Sequence, residues 1–121
     1  QEGGYLPFKY VGTIPTQAPD VVAADATAIP LTSNPQYQLT DGLTAVVDIT
    51  TFSGVTDGDI NRVVTILGSG GAYPSTISTG NDFELIAGEQ WSADANASID
   101  FKIFKNGAGT YKYFEVAGTR T

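Results

Sequence analysis

The chain has 121 residues and a formal net charge of -7, from 6 basic and 13 acidic residues. This length fits one domain, and the acidic balance is the opposite of what a nucleic-acid binder needs to neutralise phosphates. Since the sequence has no Cys and no His, disulfides, thiolate metal sites and histidine general bases are excluded. No apolar run approaches the roughly 20 residues that cross a bilayer, so we expect neither a nucleic-acid nor a membrane partner.

Residues 1–35 combine scattered prolines with large apolar side chains. Proline lacks a ladder donor and restricts the residue before it, so this stretch cannot form a helix or a central strand. A disordered tail does not normally carry so many large apolar groups. An extended N-terminal arm that lies on another protein surface explains both features, and an arm that wraps its own domain is the alternative. The predicted contact residues are Tyr5, Leu6, Phe8, Tyr10, Val11 and Ile14.

Residues 36–121 are predicted to form the β domain, and two candidate strands, Val21–Ala24 and Ala26–Leu31, precede it. Leu43–Phe52 alternates between two faces, as a half-buried strand does. Arg62–Leu67 is a β-branched run that ends in glycine, and we expect it to be buried on both faces. Ala72–Ser78 contains Pro74 and therefore fits an edge or a bulge.

The C-terminal part of the sequence predicts a β-hairpin. Ser98–Phe104 alternates cleanly, and Asn106-Gly107 is a strong hairpin-turn signal before the aromatic stretch Thr110–Val116. Strands recur about every 8–12 residues along the domain, with turn residues between them. This spacing favours an all-β fold, a small antiparallel β-sandwich or barrel-like domain.

Two pairs of carboxylates are candidates for catalytic or metal-binding groups. Asp57 with Asp59, and Asp82 with Glu84, have the residue types of a glycoside hydrolase pair. Each pair lies at a turn, where aspartate caps its own backbone, and this interpretation is the favoured one. Asp57-Gly58-Asp59 lacks the full loop pattern of a calcium site. We therefore predict no catalytic residue, no metal and no cofactor, and a protein that is not an enzyme.

The aromatic residues suggest contact surfaces. Tyr111 and Tyr113 share one face of a strand, and they are predicted to contact the core or a neighbouring subunit. Aromatic rings also stack on sugars, so a platform for a host glycan, formed by Trp91 and these tyrosines, is the alternative interpretation.

The order of several segments resembles a β-rich module of bacteriophage virion proteins, which occurs in tail fibres, head fibres and capsid decoration proteins. The resemblance covers roughly residues 40–118. Members of this group often carry Trp near the end of the last strand, where this chain has Tyr111 and Tyr113. The segments that carry the resemblance are Arg62–Gly68, Thr76–Ser78, Asn81–Gly88, Ser98–Ile103 and Tyr111–Val116.

The resemblance implies a homotrimer located in the virion, on the capsid exterior. It implies a capsid decoration or cement protein, and the arm provides a means of binding the major capsid protein and stabilising the head. Tyr111 and Tyr113 are then the predicted subunit contacts. The alternative function is a phage fibre or adhesin tip domain that binds host-surface carbohydrate.

Overall fold

A computed structural model of the protein describes residues 17–120. The residues predicted to contact the capsid lie outside the described part of the chain; they are Tyr5, Leu6, Phe8, Tyr10, Val11 and Ile14.

The described residues form short strands joined by turns, which confirms the all-β prediction. Helical structure within residues 17–120 is limited to two 3₁₀ turns, Asp57–Asp59 and Ile86–Gly88. The strands are β1 (Asp20–Val21), β2 (Ala28–Pro30), β3 (Gln36–Gln38), β4 (Asp48–Ile49), β5 (Thr51–Ser53), β6 (Val63–Leu67), β7 (Thr76–Ile77), β8 (Phe83–Glu84), β9 (Trp91–Ser92), β10 (Ser98–Lys105) and β11 (Tyr111–Gly118).

The strands form three sheets of mixed direction. The largest has six strands in the order β1-β3-β6-β10-β11-β8, and the others are β2-β5 and β4-β7-β9. Antiparallel pairing joins β6 to β10, β10 to β11 and β7 to β9, whereas the remaining pairs are parallel. The expectation of an antiparallel fold is therefore wrong. Parallel neighbours are joined by long crossovers, and a local pattern of residues does not reveal them.

Residues 17–35 are built into the β domain. β1 pairs with β3, β2 pairs with β5, and the side chains of Val22 and Ile29 are buried in the core. Pro30 ends β2, which lies in a two-stranded sheet where a missing ladder donor is tolerated. The arm prediction consequently concerns residues 1–16 alone.

One aromatic cluster joins the small sheet to the large one. The ring of Phe52, on β5, packs against three rings of the six-stranded sheet, with centroid distances of 4.7 Å to Tyr113, 5.6 Å to Phe83 and 6.5 Å to Phe101. All these side chains are nearly or fully buried. Edge-to-face and tilted ring pairs add to the hydrophobic gain, so this cluster sits at the centre of the core.

Two predictions about individual strands are wrong. Residues 43–47 are not a strand, and Leu43 and Val46 are exposed, because alternation makes a strand only where a neighbouring strand supplies hydrogen bonds. β6 buries Val64 and Ile66 but leaves Val63 48% exposed, so it is buried on one face rather than two. The outer side of β6 is part of an uncovered sheet face.

The predicted C-terminal hairpin is confirmed, with Lys105 of β10 opposite Tyr111 of β11. Asn106 caps the loop, since its Oδ1 accepts hydrogen bonds from the backbone N–H of Ala108 (3.0 Å) and of Thr110 (2.9 Å). The glycine with a left-handed backbone is Gly109, at φ +86°, rather than Gly107. The loop is thus a three-residue turn with a glycine bulge, and not the two-residue turn that Asn-Gly favours.

We expect Gly109→Ala to lower the free energy of unfolding by about 1 kcal/mol, because an L side chain at this positive φ is strained. Gly107→Ala is the matched control. An added Cβ would meet nothing within 4 Å at either position, so the two variants differ in backbone strain alone. Urea unfolding of both variants measures the difference. Equal losses of stability would contradict the assignment of the bulge to Gly109.

Candidate interaction surface

The six-stranded sheet has one face in the core and one face toward solvent. Side chains alternate along a strand, and Phe101, Ile103 and Tyr113 point into the core, so their neighbours on β10 and β11 point outward. We call this side the outward face. Its residues on the four strands β6, β10, β11 and β8 are Val63, Thr65, Asp100, Lys102, Phe104, Lys112, Phe114, Val116 and Glu84.

An apolar patch occupies the middle of the outward face. The rings of Phe104 and Phe114 pack edge to face at a centroid distance of 4.2 Å. Phe114 is 45% exposed, and Val116 and Val63 are exposed to a similar degree. Phe104, Phe114 and Val116 lie on the adjacent strands β10 and β11, and Val63 lies on β6 beyond Lys102. Single exposed apolar residues are ordinary, but a group of them on one sheet face is typical of a surface that contacts another molecule.

Two charged residues flank the exposed ring of Phe114. The strand register places Lys102 of β10 on one side of it and Glu84 of β8 on the other. Within the described chain, neither charge forms an ion pair or a side-chain hydrogen bond. By contrast, the Lys112 ammonium donates a hydrogen bond to the Asn81 carbonyl at 3.0 Å. The Asp100 carboxylate accepts the Thr65 hydroxyl at 2.6 Å. Lys102 and Glu84 are therefore the charged side chains of this face that have no hydrogen bond within the described chain.

The tyrosines predicted as subunit contacts lie on the opposite face of β11. Tyr113 is 2% exposed and packs its ring against Phe52 and Phe83. Tyr111 is half-buried and donates a hydrogen bond to the Asp57 carboxylate. The exposed apolar side chains of β11 are those of Phe114 and Val116.

Tyr111, Asp57 and Lys105 form a small network at the end of the hairpin. The Lys105 ammonium lies 3.0 Å from the Asp57 carboxylate that also accepts the Tyr111 hydroxyl. These hydrogen bonds, from Tyr111 first and Lys105 second, lower the pKa of Asp57. The same bond to an anionic acceptor raises the pKa of Tyr111 to about 12. The network fixes the hairpin end against the 3₁₀ turn that contains Asp57.

Trp91 is a core residue rather than a sugar platform. It lies in β9 opposite Ile77 and is 0% exposed, so its ring is not available for stacking on a glycan. Because β9 is only two residues long and has no alternating pattern of its own, the burial of Trp91 could not be predicted from the sequence.

The carboxylates of the two pairs do not act alike. Asp59 caps its own turn, because it accepts hydrogen bonds from the Thr56 N–H at 2.9 Å and from the Arg62 guanidinium at 3.0 Å, and these bonds lower its pKa. Asp82 accepts the Thr51 hydroxyl at 2.7 Å. Turn capping is thus confirmed for Asp59, whereas Asp82 binds a side chain of β5 and Glu84 is exposed on β8. The part of the chain from residue 17 to residue 120 holds no group of three or more acidic residues placed to share a metal ion.

A buried ion pair lies on the core-facing side of β11 and was not foreseen from the sequence. Glu115 is 8% exposed, and its carboxylate accepts two hydrogen bonds from Arg120, at 2.7 and 2.9 Å, and one from the Ile86 N–H at 2.9 Å. Burial raises the pKa of Glu115, but the hydrogen bonds from Arg120 and Ile86 outweigh it and leave the pKa below its ordinary value. A glutamate at a core-facing position of an alternating strand was the available signal, since such a charge requires a partner.

Arg120 also borders a small cleft of about 100 Å³ at this end of the domain. Its guanidinium is already engaged there, because it donates to the Glu89 carbonyl at 2.8 Å as well as to Glu115. The residues that line the cleft are Glu89, Gln90, Ser92, Asp94, Ala97, Thr119 and Arg120.

Comparison of the chain with protein-family models, with curated proteins and with solved structures found no match. Over residues 17–120, the structure contains no helix of the length and apolarity needed to cross a membrane. Among the described residues, the outward face combines an apolar centre with Lys102 and Glu84, which have no hydrogen bond or ion pair.

We expect Glu115→Gln to lower the free energy of unfolding at pH 7 by about 2 kcal/mol, because a neutral amide leaves Arg120 partly buried without its counter-ion. In the parent, the folded pKa of Glu115 is depressed, so its contribution is complete above the ordinary value of 4.5 and is lost as the pH falls through the folded value. The variant should therefore lose less stability than the parent between about pH 5 and about pH 3.

Glu89→Gln is the control for this measurement. Glu89 is exposed and lies 3.9 Å from Arg120, so we expect little change in stability or in its pH dependence. Urea unfolding at a series of pH values provides the comparison. If Glu115→Gln keeps the full acid slope of the parent, the depressed pKa is not the source of that slope.

Proposed function

We propose that this protein is a virion structural protein, a capsid decoration or cement protein on the capsid exterior, that works by binding other protein surfaces rather than by catalysis. The observation that carries the proposal is the apolar patch of the outward face, formed by Val63, Phe104, Phe114 and Val116. A sheet face that carries an exposed apolar patch with charged side chains around it is typical of a surface that contacts protein. The virion setting comes from the resemblance of residues 40–118 to phage virion modules.

In this proposal the chain has two binding regions, residues 1–16 and the outward face. Residues 1–16 carry the large apolar side chains from Tyr5 to Ile14, and they bind the major capsid protein. Apolar burial contributes about 25 cal/mol per Å², and the entropy of ordering the segment offsets part of it. Several copies held together would strengthen attachment through avidity. A homotrimer is the number of copies that the resemblance implies.

The carbohydrate-binding alternative receives less support from the surface. Its main platform was Trp91, whose ring is fully buried. The exposed aromatic ring of the outward face, Phe114, has no hydroxyl or indole N–H with which to bind sugar hydroxyls. We therefore retain the assembly role as the proposed function.

Deletion of residues 1–16 tests the proposed anchor. The deletion stops there because the Ala18 carbonyl accepts a hydrogen bond from the Asn34 amide at 2.8 Å and β1 begins at Asp20. We expect the shortened protein to keep its thermal unfolding midpoint within a few degrees and to lose binding to capsids assembled without this chain. Co-sedimentation with such capsids measures the loss.

A second variant replaces two apolar residues of the segment instead of removing the segment. Leu6→Ser with Phe8→Ser keeps the length and charge of residues 1–16, and it should weaken capsid binding by at least tenfold. Full occupancy of the capsid by both altered proteins would show that these residues do not anchor the chain.

A further inference from the structure

We infer that the outward face is a two-fold interface, on which a second copy of this chain packs sheet against sheet. This inference goes beyond the proposed function and does not depend on the virion setting, because it is derived from the register of β10, β11 and β8. Its occupant is chosen by charge. Asp100 accepts the Thr65 hydroxyl and Lys112 donates to the Asn81 carbonyl. Within the described chain, Lys102 and Glu84 are therefore the charged side chains of this face that have no hydrogen bond and no ion pair. They lie on either side of an exposed aromatic ring.

The register defines the symmetry of these charges. Lys102, Phe114 and Glu84 lie side by side on three adjacent strands, with Phe114 in the middle. Since neighbouring strands are about 4.8 Å apart, the two charged positions lie at equal distances on either side of β11. The outward face therefore has opposite charges at matching offsets from a central line of apolar side chains.

Consider a two-fold axis that runs parallel to β11 and lies midway between two such faces. Rotation about this axis places Lys102 of one copy opposite Glu84 of the other, and Glu84 of the first copy opposite Lys102 of the second. Phe114 and Val116 point toward the axis, so each would meet its own equivalent. Lys112 also lies on β11, but its ammonium is bound to the Asn81 carbonyl and so is held to one side.

This arrangement satisfies both the apolar and the charged groups of the face. Two-fold interfaces require a surface complementary to itself, and a face with like charges on both sides of the axis would repel its copy. A partner of different sequence would have to supply the same alternation of anion, apolar strip and cation. A second copy supplies it by symmetry, and two sheets packed face to face at about 10 Å allow these side chains to touch.

The size of the outward face determines the dimerisation affinity that we expect. β10 and β11 are eight residues long, but the strands beside them, β6 and β8, have five and two residues. The contact is therefore smaller than the roughly 800 Å² per partner of a standard stable interface. We expect a reversible dimer whose population rises with protein concentration.

The test measures the mass of the full-length protein by sedimentation velocity from about 1 μM to about 1 mM, the range of transient complexes. We compare the parent with Lys102→Glu, with Glu84→Lys and with the double variant. Each single change places like charges opposite each other across the axis, and it should weaken dimerisation by roughly tenfold. The double variant has the net charge of the parent and restores both charge pairs. Its dimerisation affinity should therefore lie within about threefold of that of the parent.

A second pair of variants tests the apolar centre. Phe114→Ser should weaken dimerisation by at least tenfold, because it removes the ring on the axis. Leu43→Ser removes an exposed apolar side chain from a loop outside the sheets and should leave dimerisation unchanged. Circular dichroism on every variant confirms that the β domain remains folded.

A mass of one copy throughout this range would overturn the inference, as would a mass of three copies. A double charge variant no better than the single variants would also overturn it. Capsid binding is a separate measurement that depends on residues 1–16. The mass measurement decides between the two-fold dimer and the homotrimer that the resemblance implies, whereas capsid binding through residues 1–16 can succeed or fail with either number of copies.

Discussion

Phe52 packs its ring against Phe83, Phe101 and Tyr113, and this contact determines which side of the six-stranded sheet becomes the core. Because side chains alternate along a strand, the same contact turns the intervening residues of β10 and β11 toward solvent. The core can accept only one side of the hairpin, so Phe104 and Phe114 are left on the other. The exposed apolar patch of the outward face is thus a direct consequence of how the core is filled.

The charges of the protein follow the same division. Asp57, Asp59 and Glu115 are each held by a cation or by N–H and O–H donors within the domain. These carboxylates have lowered pKa values and stabilise the turns and strand ends in which they lie. Lys102 and Glu84 have no such partner in the described chain. In an acidic protein with only 6 basic residues, a free lysine beside an exposed phenylalanine favours contact with another molecule.

The sequence predicted those features that depend on local patterns. Alternation in Ser98–Phe104 and the following Asn-Gly gave the hairpin, and the spacing of turns gave an all-β chain. Sheet order and parallel pairing could not be predicted, because they depend on which distant strands fill one core. For the same reason the sequence showed that Tyr113 and Phe114 lie on opposite faces but did not show which of the two faces is buried.

If the outward face binds protein, its side chains become shielded from solvent when the protein assembles. Carbene footprinting measures this shielding, by comparing dilute protein with a concentrated solution or with a capsid-bound sample. Phe104, Phe114 and Val116 should lose labelling on assembly, while the exposed loop residues Leu43 and Val46 should keep theirs. Equal labelling of the three outward residues in both samples would contradict protein binding by the outward face.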